Sequence, residues 1–213
     1  MKRRKIRSLS VSEIGMGCMG FSHGYGQVPD AGYTEEAIRE AFGYGCNFFD
    51  TAEGYGKELY YPGHNEEIVG RAVKGFRNEA VIATKLHIQP ETVEDCGSVY
   101  VAVRRHLERS LKNLQSDYVD LYYLHRINME VDYLEVAHAM GRLIQEGLVR
   151  EWGISAVDKA QLEAAHAVMP VGAVQNIYSM VERTSEKDVI PFCVEEQRAY
   201  HGEFASMRSA TDG

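Results

Sequence analysis

Cysteine is scarce and scattered in this 213-residue chain: Cys18, Cys46, Cys96 and Cys193 lie far apart and make no CxxC pair. That spacing argues against a thiolate zinc site and against a disulfide scaffold, and it fits a reducing cytoplasm. Eighteen apolar residues never run together, so no segment reads as a membrane span. Behind the short basic start, Lys2 to Lys5, the stretch IRSLSVSEIGMGC lacks the apolar run of a secretory signal. Positive charge is in deficit, 23 Lys and Arg against 31 Asp and Glu for a formal net charge of −8, so neither nucleic acid nor an anionic membrane is an expected partner. No linker rich in Pro, Gly or Ser divides the chain, and no internal repeat stands out. What is present is 45% hydrophobic content, enough to bury one substantial core.

Strand and helix patterns alternate along the chain. A first strand is expected near Ile14 to Cys18, and TEEAIREAFGYG then opens with Thr34 as N-cap and acids in the first turn. Asn47 to Asp50 reads as a short buried strand, and Asn65 is expected to cap EEIVGRAVKG, with Gly75 as its stop. The unit returns as strand 80–86 with a helix over 98–114, strand 118–124 with a helix over 131–146, strand 148–155 with a helix begun by Asp158, and strand 171–178 with a helix over 185–196. Six β/α units result. Such alternation demands a parallel sheet covered by helices, either an open doubly wound sheet or a closed barrel, and periodicity does not choose between them.

Gly15-x-Gly17-x-x-Gly20 matches a dinucleotide-binding fingerprint in letters, but that motif needs a helix to begin there. FSHGYGQVPD follows, which cannot begin one. The glycines therefore read as a flexible loop after the first strand that can approach a ligand closely.

Four ionisable residues fall where strands end. Asp50 closes the second strand, Tyr55 follows in its loop, Lys85 ends the third, and His125 follows the fourth. In a β/α barrel these ends share one face, where active sites are built. Each alone has an ordinary explanation as a turn cap, an exposed phenol, a solvated amine or a surface histidine. Together they are coherent, because a phenol donates a proton poorly at neutral pH unless a cation stabilises its phenolate. Lys85 can supply that charge, Asp50 can hold Lys85, and His125 can orient a substrate oxygen while Tyr55 gives up the proton. Reduction of a carbonyl needs such a set, since negative charge develops on oxygen. A metal hydrolase using His64, His87 or His125 has neither HxH nor HExxH spacing behind it. Phe21, Tyr25 and Trp152 are further aromatics that could line a pocket, with ordinary packing the favoured explanation for Trp152.

FFDTAEGYG at 48–56, NEEIVGRAV at 65–73, IATK at 82–85, DLYYLHR at 120–126, GISA at 153–156 and VQNIYS at 174–179 occur in order, and together they resemble the aldo-keto reductases over about residues 6–196. The resemblance implies a TIM-type (β/α)8 barrel, incomplete here with about six of its eight units. It further implies reduction of small aldehydes or ketones to alcohols, NADPH as hydride donor with NADH not excluded, Tyr55 as general acid, and Asp50, Lys85 and His125 as its supporting residues. By the same resemblance Ser155 and Gln175 would hold the nicotinamide amide, with Gly17 and Met19 as further cofactor contacts. Where many members have Asn after that Ser, this chain has Ala156, so one hydrogen bond is in doubt there, worth ~0.5–1.5 kcal/mol.

After Glu196 the expected seventh strand gives way to QRAYHGEFASMRSATDG, which is polar and short of β-branched residues. We therefore divide the chain into a partial barrel domain over 1–196 and an irregular tail over 197–213. On this reading the first and sixth strands keep unpaired edges, and the tail records an early stop or a shifted reading frame. The rival expectation is a catalytically impaired remnant or a non-catalytic binding subunit of the same family.

Overall fold

The computed structural model describes residues 1–22, 27–196 and 199–203. Its N-terminal segment forms an antiparallel hairpin of β1 (Arg3–Ile6) and β2 (Leu9–Ser12), turning at Arg7, whose φ is 49°. Six strands then lie side by side, parallel and in sequence order: β3 (Met16–Gly17), β4 (Phe48–Asp50), β5 (Val81–Leu86), β6 (Val119–Leu124), β7 (Val149–Ser155) and β8 (Ala173–Ile177). Between them run α1 (Ala31–Gly43), α2 (His64–Val73), α3 (Pro90–Cys96), α4 (Val99–Leu114), α5 (Tyr133–Gln145) and α6 (Lys159–Val168), and α7 (Val189–Glu195) follows β8. The protein is thus α/β, an open arc of a β/α barrel, as the motif order implies. No helix among the described residues is long and apolar enough to cross a membrane.

Successive strand residues point to opposite faces, and here both faces are buried. Phe49, Ile82, Tyr122, Ile154 and Val174 point outward into the large core shared with the helices. Phe48, Val81, Ala83, Leu121, Tyr123 and Ala173 point inward, where Ile6, Leu9 and Val11 of the hairpin join them. The hairpin thus packs on the inner side chains, a long-range contact with no local signal in the sequence. Helix α2 packs against α4 closely because Gly70 has no side chain: a Cβ there would stand 2.5 Å from the Leu114 carbonyl oxygen.

The structure corrects several expectations. Helix α1 starts three residues before Thr34, at Ala31, since Asp30 accepts the Tyr33 N–H at 2.9 Å and so serves as the N-cap. Thr34 is buried and donates to the Ala31 carbonyl at 2.8 Å. Asn65 does not cap α2; Gly63, at φ 92°, holds the N-cap position, and Asn65 lies inside the helix. Helix α3 went unread, and the last expected helix divides into a 3-10 turn at Thr184–Glu186 and α7.

The largest difference concerns the tail. Ala199–Glu203, expected to be irregular, forms β9, parallel to β8 in the register Val174↔Tyr200, so the sixth parallel strand does not keep an unpaired edge. An open row of backbone donors and acceptors on β8 outweighs the weak strand propensity of AYHGE. The remainder of that expectation, residues 197–198 and 204–213, lies outside the described residues.

Candidate active site

Strand parity gathers the site. Counting in twos from the inward residues Phe48, Ala83, Tyr123 and Ala173, and from Gly153, where a Cβ would stand 2.4 Å from the Tyr123 ring, leads to Asp50, Lys85, His125, Gln175 and Ser155. All five therefore fall on the inner side at the strand ends, and the ladders align them, with Lys85 beside Tyr123 and Ser155 beside Gln175. A one-residue slip in any strand would turn its member outward.

Lys85 is fully buried, and its ammonium donates to Asp50 Oδ1, to the Thr51 carbonyl at 2.8 Å and to the Tyr55 hydroxyl at 3.1 Å. Three donors meet three acceptors. Burial alone would discharge the amine, but the Asp50 carboxylate and the Tyr55 oxygen outweigh it and hold the Lys85 pKa above the ordinary lysine range. The second Asp50 oxygen accepts from the Gln175 amide nitrogen at 3.0 Å. Tyr55 lies edge-on to the His125 ring, with centroids 5.9 Å apart. The four residues singled out from the sequence thus form one cluster.

His125 is held by its own backbone, whose N–H donates to the Leu86 carbonyl at 2.9 Å. Burial, then the Lys85 and Arg126 charges, push its pKa from the ordinary 6.5 down to about 3. The imidazole is therefore neutral across the working pH range. A folded pKa below the unfolded one means that the unfolded chain binds the extra proton between pH 6.5 and about 3, so acidification through that window favours unfolding. His125→Gln should accordingly lose less stability than the parent between pH 7 and pH 4. Urea midpoints at the two pH values measure it, and equal losses in both proteins would contradict the assignment.

Ser155 is buried and accepts from Arg126 Nη1 at 3.2 Å, while the same nitrogen donates to the His125 carbonyl at 2.9 Å. Gly17 ends β3 opposite Asp50, with open space where a Cβ would stand. Met19 begins the 3-10 turn Met19–Phe21 and lines a cavity of about 540 Å³ together with Tyr55, His87, His125 and Arg126. Trp152 packs in the outer core and donates to the Pro170 carbonyl at 3.1 Å, away from the site. Phe21 packs against that core, and Tyr25 lies outside the described residues. His64 stacks on Tyr60 with centroids 3.9 Å apart and shares a hydrogen bond with Ser22 at 2.9 Å.

Sequence reasoning missed the latch that holds the Tyr55 loop. Asn65 accepts from Thr51 Oγ1 at 2.6 Å and donates to the Cys18 carbonyl at 2.8 Å and to Ser22 Oγ at 2.9 Å, joining α2 to the loops after β3 and β4. Gly63 admits that geometry, since a Cβ there would meet the Asn113 side chain at 2.2 Å. Arg126 was missed as well, although it stands beside His125 in the quoted segment DLYYLHR.

The comparisons with known proteins agree with one another. A family model described as the aldo/keto reductase family matches residues 13–198. A probable aldo-keto reductase 1 of Glycine max is 35% identical over 193 residues, 89% of this chain and 54% of that protein. The chain therefore spans about half the length of that curated relative. Among solved structures, the thermostable aldo-keto reductase Tm1743 in complex with epalrestat superposes with a TM-score of 0.81 at 30% identity, covering 94% of this chain and 71% of that one. An aldo-keto reductase from Klebsiella pneumoniae in complex with NADPH gives 0.77 at 29% identity, covering 95% and 68%. Fold, motif order and the matched span lead to the same statement: the chain belongs to the aldo/keto reductase family.

Proposed function

We propose that this site reduces small aldehydes or ketones to alcohols with a nicotinamide donor, NADPH in the first instance. The observation that carries the reading is the single buried cluster in which Lys85 reaches both Asp50 and the Tyr55 hydroxyl. Hydride reaching a carbonyl carbon leaves negative charge on the oxygen, and Tyr55 transfers its phenolic proton there. The Lys85 ammonium, 3.1 Å from the phenol oxygen, stabilises the phenolate left behind. Asp50 fixes Lys85, and Gln175 fixes Asp50. Neutral His125 offers one N–H to the carbonyl oxygen and orients it toward Tyr55.

The donor set fits a nicotinamide carboxamide, because a hydroxyl and a primary amide stand in register at neighbouring strand ends, Ser155 beside Gln175. Arg126 can only donate, so Ser155 accepts from it and keeps its own proton for an outside acceptor. A bound nicotinamide supplies the hydride. Gly17 and Met19 flank the same mouth and complete the proposed contacts.

Absorbance at 340 nm tests the reading, with purified chain, NADPH or NADH, and a panel of small carbonyls. Carbonyl-dependent loss of absorbance is expected, faster with NADPH. A folded chain that consumes neither cofactor with any carbonyl would contradict it.

A further inference from the structure

A second cavity, of about 590 Å³, lies where the C-terminal ends of α1 and α2 meet, just before the chain enters β4 and β5. The charged cluster sits at the opposite ends of those strands. The cavity wall is apolar, formed by Phe42 and Phe76, whose rings stack with centroids 3.9 Å apart and planes 14° from parallel. Its rim is basic, with Arg39 on α1, Arg71 on α2 and Lys74 just behind it. Arg39 and Gly43 stand four residues apart, as do Arg71 and Gly75, so each helix end turns a cation and a glycine to the same side. A Cβ on either glycine would meet nothing within 4 Å, which leaves the mouth open.

This basic rim departs from a chain whose formal net charge is −8. Among the described residues no carboxylate lines the cavity. Glu35, beside it, holds both guanidiniums in place, accepting from Arg39 Nη2 at 2.8 Å and from Arg71 Nε at 2.7 Å. Glu67 lies farther off, 3.9 Å from Arg71 Nη1. Lys74 takes part in no hydrogen bond or ion pair among the described residues, so positive charge is left over at the mouth.

The surplus calls for an anion, and the surroundings limit its kind. A dianion such as phosphate would meet the negative ends of two helix dipoles. A neutral arene would leave the guanidinium forks and the ammonium without a partner. A flat ring bearing one carboxylate suits both parts, since the ring lies against the phenyl pair and the carboxylate accepts N–H bonds from a guanidinium fork.

We propose that this cavity is a binding site for small aromatic monocarboxylates, with Phe42 and Phe76 receiving the ring and Arg39, Arg71 and Lys74 the carboxylate. Binding there uses neither Tyr55 and Lys85 nor a cofactor, so it is independent of the reductase reading.

The test uses the full chain labelled with 15N-glycine and titrated with 2-naphthoate, 2-naphthamide, cyclohexanecarboxylate or inorganic phosphate. The Gly43 and Gly75 amide signals are assigned by their loss in Gly43→Ala and Gly75→Ala, which the open space admits. Both signals should shift saturably with 2-naphthoate, at a Kd at least about fivefold below that of any of the other three probes. Arg39→Gln combined with Lys74→Gln should weaken naphthoate about tenfold, the worth of one charge-assisted hydrogen bond. Lys74→Arg keeps the charge and should stay within about twofold of the parent. Tyr55→Phe should bind naphthoate as the parent does, even where turnover is lost. Equal or tighter binding of any other probe, no saturation below about 10 mM naphthoate, unaltered affinity in the double variant, or loss of the response in Tyr55→Phe would each overturn the proposal.

Discussion

Lys85→Met should destabilise the chain by ~3–5 kcal/mol, the cost of stranding one member of a buried ion pair, and lower carbonyl reduction at least ~100-fold by removing the charge that faces the phenolate. The ammonium is fully buried and joins Asp50, the Thr51 carbonyl and Tyr55, so its loss leaves the Asp50 carboxylate, which still accepts from the Gln175 amide, without its counter-charge. Stability and catalysis separate in a second variant. Asp50→Asn combined with Lys85→Met removes both charges and should recover part of the lost stability with none of the activity. Urea unfolding and NADPH consumption measure the two effects, and full activity in either variant would contradict the role of Lys85.

Tyr55→Phe removes one oxygen and should lower turnover by roughly 100- to 10,000-fold, the range expected for a general acid. Its ring would still meet His125 edge-on and sit under the Lys85 ammonium, which lies 4.9 Å from the ring centroid. Cofactor affinity and the unfolding midpoint should therefore change little. A parallel drop in stability would mean that the hydroxyl holds the fold rather than transfers a proton, and an unchanged rate would remove Tyr55 from the mechanism. Steady-state rates at saturating NADPH, read beside a denaturation curve, decide among these outcomes.

Much of this arrangement was legible in the sequence because strands are periodic in two. Once 80–86 and 118–124 read as strands, Lys85 and His125 had to fall at their ends; the strict alternation gave only a parallel sheet under helices, and the resemblance in motif order made it a partial barrel. What stayed hidden depends on partners distant in sequence. The hairpin β1–β2 is anchored by Phe48, Val81 and Tyr123, none of them near it in the chain. Strand β9 exists because β8 offers an edge, not because AYHGE favours a strand. Asn65 looks like an N-cap from its neighbours, and only its bonds to Cys18, Ser22 and Thr51 reveal a latch. The Glu53–His106 pair spans 53 residues and carries no local pattern at all. Gln175 was placed at the cofactor by resemblance, yet its bond to Asp50 ties it equally to the charged cluster.

The most direct test of the account is a titration of the purified chain with NADPH followed by nicotinamide fluorescence. It should show saturable binding that survives Tyr55→Phe and weakens about two- to tenfold in Ser155→Ala, the loss of one net hydrogen bond. A folded chain whose fluorescence stays linear in NADPH through the high micromolar range, in parent and variants alike, would contradict it.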